Sequence, residues 1–268
     1  RACLYTGLYQ MNNRGGRNGT PLDHRHLTLA QAARALGYDP TLFGYTDTGI
    51  DPRTTVPEDP WLKTYEGILP GMSVRTYLPE HPSPWLSWLA ARGVAVPANW
   101  QHVYMPADGE PALWGKPPRF SREETQSAFL ADEFGRWMGE QRRPWFAHVS
   151  FLAPHPPFVT PEPWSRMYDP AAGPGFARGA SAAEETAKHP FLAYATEVQR
   201  KHIQVYGPPG PTTDGSEAEA RQILFRLLVE DVDGVVDRDH SDEAVVGIGP
   251  RGGGGTVALE EPAAPLPV

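Results

Sequence analysis

The chain has 268 residues, of which 40% are apolar, and its formal net charge is -8. This length is sufficient for one large domain or two small ones with an ordinary core. The acidic balance, without a basic stripe, argues against nucleic acid as a partner. No apolar run approaches the roughly 18 residues that cross a bilayer, so no membrane partner is expected. The single cysteine excludes an internal disulfide framework and favours a reducing, cytoplasmic location.

The first periodic segment predicts a helix over Thr28 to Leu36, because its apolar residues recur at helical spacing and Gly37 follows its end. The short apolar run from Asp39 to Gly44 predicts a buried strand. Residues 51–120 are rich in proline and tryptophan and show little periodicity. They are interpreted as loops around one helix, near Trp85 to Arg92.

A longer helix is predicted over Ser121 to Gln141. Ser121 and Glu124 have the spacing of a capping box. The apolar stripe of this helix consists of Phe129, Leu130, Phe134, Trp137 and Met138. The run from Trp145 to Leu152 then predicts a strand buried on both faces, as in a parallel sheet. A helix, a strand and a loop at the strand's carboxyl end indicate an α/β fold, in which ligands bind beyond the strand ends.

The last periodic segment predicts a helix over Glu217 to Val236. Beyond it, residues 237–268 contain a run of four glycines and several prolines. No strand of useful length is predicted after Val246. We therefore expect a disordered tail.

Several stretches, taken in order, resemble the sulfatase family. RACLYTGLY resembles the end of the formylglycine motif Cys/Ser-x-Pro-Ser-Arg and its following helix, with Arg1 as the last residue of the motif. TLAQAARALGYDPTLFGYTD is similar to the family's next helix and strand. ETQSAFLADEF and WFAHVSFLAPHPPF are similar to its central helix and to a strand that ends in Pro-His-x-Pro-Phe. The resemblance covers about residues 1–235.

One difference from the common arylsulfatase pattern indicates which branch of the family this chain resembles. Common arylsulfatases have Gly-Lys-x-His after the second strand, whereas this chain has Gly44-Tyr45-Thr46-Asp47. With TDTGIDPR and NNRGGRNGT, this resembles the phosphonate monoester hydrolase and arylsulfatase branch of the alkaline-phosphatase-like superfamily. The resemblance implies an α/β fold with a mixed, mostly parallel sheet, helices on both faces, and an incomplete domain. Residues 1–236 would form a partial sulfatase domain, an internal fragment, and residues 237–268 a tail outside the family.

Such enzymes hydrolyse sulfate, phosphonate and phosphate esters, so a small anionic ester is the expected partner; oligomerisation is left open. The resemblance implies a formylglycine nucleophile and a divalent metal (Ca, Mn or Mg), both held by segments expected outside this chain. We therefore expect no bound metal and no activity from the chain alone. The alternative is a non-catalytic protein that binds anions or a partner. A lipase-like hydrolase is disfavoured, because no Gly-x-Ser-x-Gly occurs.

Two residues are the predicted catalytic groups. Arg1 matches the family arginine beside the nucleophile, where a guanidinium stabilises negative charge on oxygen. His155 lies in a proline-rich loop at a strand end and matches the family histidine that contacts the ester. The alternatives are a solvated arginine and a histidine packed in its loop. Ala153 stands where the family often has a cation, which weakens the expected binding of anions.

Three residues are predicted to bind substrate. Tyr45 and Asp47 occupy the places of the family lysine and histidine. A tyrosine donates a hydrogen bond to an ester oxygen, whereas a carboxylate repels a dianion unless it is paired or protonated. Asn18 lies in a glycine-rich loop that resembles a substrate-contacting loop. Ordinary turn roles for Asp47 and Asn18 remain alternatives.

Two further interpretations concern metal and nucleophile. Asp239 and His240 resemble a metal-binding Asp-His pair, but no apolar strand precedes them. A solvated charge run explains them more simply, and they are only weak metal candidates. Cys3 follows the matched arginine instead of preceding it. It is interpreted as a buried helix residue and not as the nucleophile.

Overall fold

The computed structural model describes residues 1–17, 19–106, 117–153, 155, 159–166, 181–195 and 244–248. The α-helices are α1 (Ala2–Thr6), α2 (Gln10–Asn13), α3 (Leu29–Ala35), α4 (Ser83–Ala91), α5 (Gln126–Glu140) and α6 (Ala182–Ala187). The strands are β1 (Pro40–Gly44), β2 (Ser73–Tyr77), β3 (Phe146–Ser150) and β4 (Ala244–Ile248). Single 3₁₀ turns lie at Pro52–Thr54, Pro60–Lys63, Trp100–Tyr104, Arg122–Glu124 and Trp164–Arg166. None of the described helices is long and apolar enough to span a bilayer.

The strands form one open sheet in the order β2-β1-β3-β4. β1 pairs in parallel with both β2 and β3, and β4 pairs antiparallel with β3. The expected mixed, mostly parallel α/β sheet is therefore confirmed. Because the first three strands run in the same direction, their carboxyl ends lie at one edge, and the segments that follow them converge there.

Helices cover both faces of the sheet. Phe43 and Val149 lie opposite each other in the register of β1 and β3 and belong to the larger core cluster. Side chains of α4 and α5, including Trp85, Leu89 and Phe129, complete this cluster. Alternate strand residues point to opposite faces, so His148 points to the other face, where it contacts Tyr5 of α1. A second cluster, which contains Leu22, Ala30 and Leu69 besides Tyr5, belongs to α1, α3 and their neighbouring loops.

The helix predicted over Thr28 to Leu36 is present as α3. The Thr28 hydroxyl accepts from the Gln31 backbone N–H, and the Gln31 side chain accepts from the Thr28 N–H, which forms a capping box. Gly37 has a φ of +87°, a left-handed conformation that glycine adopts without strain. The predicted strand from Asp39 to Gly44 is present as β1, and all five of its residues are buried.

The interpretation of residues 51–120 as loops around one helix is wrong in one respect. The predicted helix is present as α4, but β2 lies in the same segment and forms the edge of the sheet beside β1. Its sequence SVRTY gives no continuous apolar run, and only Thr76 is buried. An edge strand that is covered on one side needs few apolar residues, so its hydropathy pattern is weak.

The helix predicted over Ser121 to Gln141 is interrupted at its start. Ser121 and Glu124 form the expected capping box, but it caps the 3₁₀ turn at Arg122–Glu124. Thr125 is extended and its hydroxyl accepts from the Ala128 N–H, so α5 begins after it. Met138 is 40% exposed and does not belong to the buried stripe. The strand predicted over Trp145 to Leu152 is confirmed as β3, which is buried throughout.

One further expectation needs correction. Cys3 is exposed, because the short helix α1 packs its Tyr5 side against the sheet and leaves Cys3 and Leu4 outside. The segment predicted as a tail contains β4, which pairs antiparallel with β3, and the disorder of residues 237–268 remains a prediction. The domain boundary at residue 236 remains a prediction. The helix predicted over Glu217 to Val236 lies outside the described residues.

Candidate functional site

The segment after β1 is held rigidly against a neighbouring loop. Thr46 is completely buried, and its hydroxyl donates to the Gly67 carbonyl at 2.9 Å. The same hydroxyl accepts from the Leu69 backbone N–H at 2.7 Å, and the Thr46 N–H donates to Gly67 O at 3.2 Å. These bonds fix the backbone between Tyr45 and Asp47, so the two side chains predicted to bind substrate have defined positions.

Arg1 and Tyr45 lie against each other. The Arg1 guanidinium carbon is 5.2 Å from the centroid of the Tyr45 ring, within the range of a cation–π contact. Tyr45 is 5% exposed, and burial raises the pKa of its hydroxyl to about 12, with Arg1 opposing the effect. The tyrosine therefore remains a neutral hydrogen-bond donor at physiological pH, while Arg1 carries a permanent positive charge beside it.

Asp47 is the third member of this group. Its backbone is left-handed, with a φ of +56°, which aspartate tolerates better than most residues. Its Oδ1 atom is buried and has no hydrogen-bond partner in the described part of the chain. Burial raises the pKa of the Asp47 carboxyl, the Arg1 charge lowers it, and Glu80 raises it again. A buried carboxylate oxygen without a hydrogen-bond donor is costly, which indicates a place for a ligand or a proton at Oδ1.

His155 belongs to the same neighbourhood. The positive form of His155 lowers the pKa of Asp47, as the charge of Arg1 does. The imidazole and the guanidinium therefore act electrostatically on the same carboxyl. The backbone N–H of His155 donates to the Leu152 carbonyl at 2.9 Å, which closes a turn directly after β3. The structure thus brings together Arg1, Tyr45, Asp47 and His155. Asn18, Asp239 and His240 lie outside the described residues.

A buried histidine connects Arg1 to the sheet. His148 is completely buried in the middle of β3, and its Nε2 lies 3.2 Å from the Tyr5 hydroxyl. Burial, and secondarily the charge of Arg1, lower the pKa of His148 to about 4. His148 is therefore neutral at physiological pH. Since Arg1 and Tyr5 are one turn apart on α1, the Tyr5 contact fixes the helix that carries the arginine.

Side chains from the segments before and after β2 also act on the pKa values in this group. Glu80 raises the pKa of Tyr45 and of Asp47, and its carboxylate accepts a hydrogen bond from the Tyr65 hydroxyl. The Glu66 carboxylate accepts from the Glu80 backbone N–H. The side chains around Asp47 therefore include negative charge as well as the positive charge of Arg1.

Sequence reasoning missed His148 and the pair Glu66 and Glu80. A lone histidine inside the apolar run WFAHVSF was the available signal for His148, since a fully buried imidazole in a strand needs a partner. Glu80 was missed because β2 was missed. Once β2 is placed beside β1, its carboxyl end must lie at the same edge as that of β1, and Glu80 follows three residues later.

A possible metal group lies elsewhere in the described chain. Asp23, His24 and Asp51 offer ligand atoms that lie within 4.8 Å of one another. However, Arg53 donates to both oxygens of Asp51, at 2.9 and 2.6 Å, and also pairs with Asp23. A guanidinium thus occupies the place that a cation would take. Asp23, His24 and Asp51 therefore do not fit a resident divalent metal, and we assign no reaction step to one.

Comparisons with known proteins identify the family of this chain. The family model described as Sulfatase matches residues 1–175. The multifunctional alkaline phosphatase superfamily protein PehA of Trinickia caryophylli is 35% identical over 245 residues, which are 89% of this chain and 47% of PehA. This chain therefore spans about half the length of that relative.

Two solved structures have the same fold. The phosphonate monoester hydrolase of Agrobacterium radiobacter matches 88% of this chain and 48% of its own, with 48% identity and a TM-score of 0.76. The phosphonate monoester hydrolase SpPMH of Silicibacter pomeroyi matches 89% of this chain and 48% of its own, with 39% identity and a TM-score of 0.74. The resemblance stated from the sequence is confirmed: this chain belongs to the sulfatase family, within the alkaline phosphatase superfamily, and is similar to phosphonate monoester hydrolases.

Proposed function

We propose that this chain forms the substrate-facing part of a hydrolase that cleaves sulfuric, phosphonate or phosphate monoesters and diesters. The observation that carries the proposal is the grouping of Arg1, Tyr45 and His155 around Asp47 at the carboxyl edge of the parallel strands. Its relatives at 39–48% identity are named phosphonate monoester hydrolases, which supports an ester of a tetrahedral oxyacid as substrate.

Each side chain has a role that follows from its charge state. Arg1 offers a fork of N–H donors that stabilises negative charge on the non-bridging oxygens of the ester. Tyr45 donates a hydrogen bond without adding charge, because the raised pKa keeps its hydroxyl protonated. His155 is assigned as the proton donor to the departing oxygen, since histidine is the side chain that most often acts as a general acid.

The nucleophile and the metal ligands are not assigned to this chain. Cys3 follows Arg1 by two residues, lies exposed on α1 and contacts Asn13 through its sulfur. The described acidic group that has the geometry of a metal site is filled by Arg53. We therefore propose that the chain by itself binds the anionic ester but does not turn it over.

Turnover and binding assays test this proposal together. The purified chain is incubated with an aryl sulfate and an aryl phosphonate monoester, with and without manganese or calcium, and calorimetry measures binding of methyl sulfate. We expect binding without turnover, and weaker binding by Arg1→Gln and by His155→Ala. Robust turnover by the chain alone would show that the missing groups are present after all, and absent binding would refute the site.

Complementation distinguishes a hydrolase from a non-catalytic anion-binding protein. The chain is co-expressed with the part of the Agrobacterium radiobacter hydrolase that it does not match. The hydrolase proposal predicts turnover above that of either part alone, and the loss of this turnover in His155→Ala. Persistent binding without any restored turnover would instead support the non-catalytic alternative.

A further inference from the structure

We propose that Asp47 makes this site select esters with one negative charge over anions with two. The inference rests on the proposed function, because it concerns the same group of side chains. The substrate class is defined by charge. Sulfate monoesters, phosphonate monoesters and phosphate diesters each carry one negative charge at neutral pH, whereas phosphate monoesters carry close to two.

The position of Asp47 is the first argument. It lies directly after the buried Thr46, whose three hydrogen bonds fix the backbone. The carboxylate therefore has little freedom to move away from an incoming ligand. Its Oδ1 atom is buried, and none of the described groups donates a hydrogen bond to it. No hydrogen bond from the described groups therefore offsets the negative charge at Oδ1.

The balance of charge around Asp47 is the second argument. The side chains from other segments that act on its pKa are Arg1, Glu80 and His155. Of these, the guanidinium is positive at every relevant pH, whereas Glu80 adds a second carboxylate. One guanidinium beside two carboxylates favours an ester with a single negative charge. A second negative charge on the ligand is repelled by Asp47. The described groups that act on Asp47 include no further permanent cation to offset this repulsion.

The backbone provides a conservative variant. At a φ of +56° a β-branched replacement is strained, whereas asparagine tolerates the left-handed region as aspartate does. Asp47→Asn therefore removes the charge and keeps the shape. Glu140→Gln is the matched control, because Glu140 ends α5 just before β3 begins and so lies at the opposite edge of the sheet.

The experiment compares methyl sulfate, which carries one negative charge, with inorganic sulfate, which carries two. Neither anion titrates between pH 5 and 8. Calorimetry at constant ionic strength measures the ratio of their dissociation constants for the full chain and for both variants. We expect the unaltered chain and Glu140→Gln to bind methyl sulfate about tenfold more tightly than sulfate at pH 8. In Asp47→Asn we expect this preference to fall to about threefold or less.

A pH series on the unaltered chain gives a second measurement that does not depend on a variant. The preference for methyl sulfate is expected to shrink towards pH 5, because the raised pKa of Asp47 allows its carboxyl to take up a proton. Asp47→Asn removes this carboxyl and keeps the rest of the site, so its profile is the baseline for the series. A smaller pH dependence in the variant than in the unaltered chain supports the proposal.

The outcomes separate this inference from the proposed function. If both anions bind and Asp47→Asn keeps the full preference, or the unaltered chain shows none, the role of Asp47 is refuted and the anion site stands. If neither anion binds to the unaltered chain, the site itself is refuted and the inference fails with it.

Discussion

The hydroxyl of Tyr5 lies 3.2 Å from Nε2 of His148, across the contact between α1 and the middle of β3. Both residues are almost fully buried, and their rings meet edge to face with centroids 5.4 Å apart. Because Arg1 begins the same short helix, this contact determines where the guanidinium lies relative to Tyr45. One buried polar pair thus links the sheet to the candidate site.

Removing the Tyr5 hydroxyl should destabilise the fold. The Nδ1 atom of His148 already has no partner among the described residues, and Tyr5→Phe leaves Nε2 without its tyrosine partner as well. A buried polar group that loses its partner costs about 1–3 kcal/mol. Urea denaturation should show this loss, whereas Tyr9→Phe, at a tyrosine that is 78% exposed, should change the free energy of unfolding by less than about 0.5 kcal/mol. Equal effects of the two variants would contradict the assigned hydrogen bond.

The stability of the chain should fall as the pH drops from about 6.5 to about 4. The pKa of His148 is lowered from 6.5 to about 4 in the folded chain. Between pH 6.5 and pH 4 the unfolded chain binds a proton at His148 that the folded chain does not bind. The contribution of neutral His148 to the free energy of unfolding is therefore fully present above pH 6.5 and is lost towards pH 4. The full difference amounts to about 3 kcal/mol.

Comparison with His148→Gln isolates this effect from that of other titrating groups. Glutamine retains a side chain that forms hydrogen bonds but does not titrate. Urea midpoints measured at half-unit pH intervals should therefore show a shallower decline in the variant. Parallel profiles for the two proteins would mean that His148 takes up its proton equally well in the folded chain.

Arg53 should matter more for stability than Arg25. Both guanidinium groups pair with Asp23, but only Arg53 also donates to the buried Asp51. Loss of Arg53 leaves a buried carboxylate with one fewer cationic partner, which is unfavourable. Thermal melts should give a lower midpoint for Arg53→Ala than for Arg25→Ala, whose side chain is 73% exposed. The reverse order would show that the exposed pair with Asp23 is the important one.

Gly67 should not accept a side chain. A Cβ atom at this position would lie 1.8 Å from the Thr48 carbonyl oxygen, which belongs to the backbone. We expect Gly67→Ala to cost about 3 kcal/mol or more, because the backbone itself must move. The movement should also weaken methyl sulfate binding, since Gly67 O accepts the hydrogen bonds that hold Thr46.

Gly139→Ala is the control for the effect of alanine itself. Nothing lies within 4 Å of the position that its Cβ would take on α5, and alanine favours helix by about 0.5–1 kcal/mol over glycine. Denaturation curves should thus move in opposite directions for the two variants. A tolerated alanine at position 67 would contradict the close contact with Thr48.

Much of the fold was predictable from local patterns. The helical spacing of apolar residues before Gly37 predicted α3, and the apolar runs around Phe43 and Val149 predicted the two central strands. The sequence did not predict β2, because an exposed edge strand lacks the continuous apolar run of a buried strand. Cys3 was misplaced because a helix of five residues gives too little periodicity to tell which side is buried.

The sequence by itself determined the family and the parallel α/β architecture, and it supplied the prediction that Arg1, Tyr45, Asp47 and His155 are site residues. These inferences depend on order and spacing along the chain, which sequence contains directly. Only the tertiary structure decided that Oδ1 of Asp47 has no hydrogen-bond partner among the described residues, that Glu80 raises the pKa of Asp47, and that His148 supports the helix of Arg1. Burial and electrostatic contact between distant segments depend on how the strands are ordered in the sheet, and spacing along the chain does not specify that order.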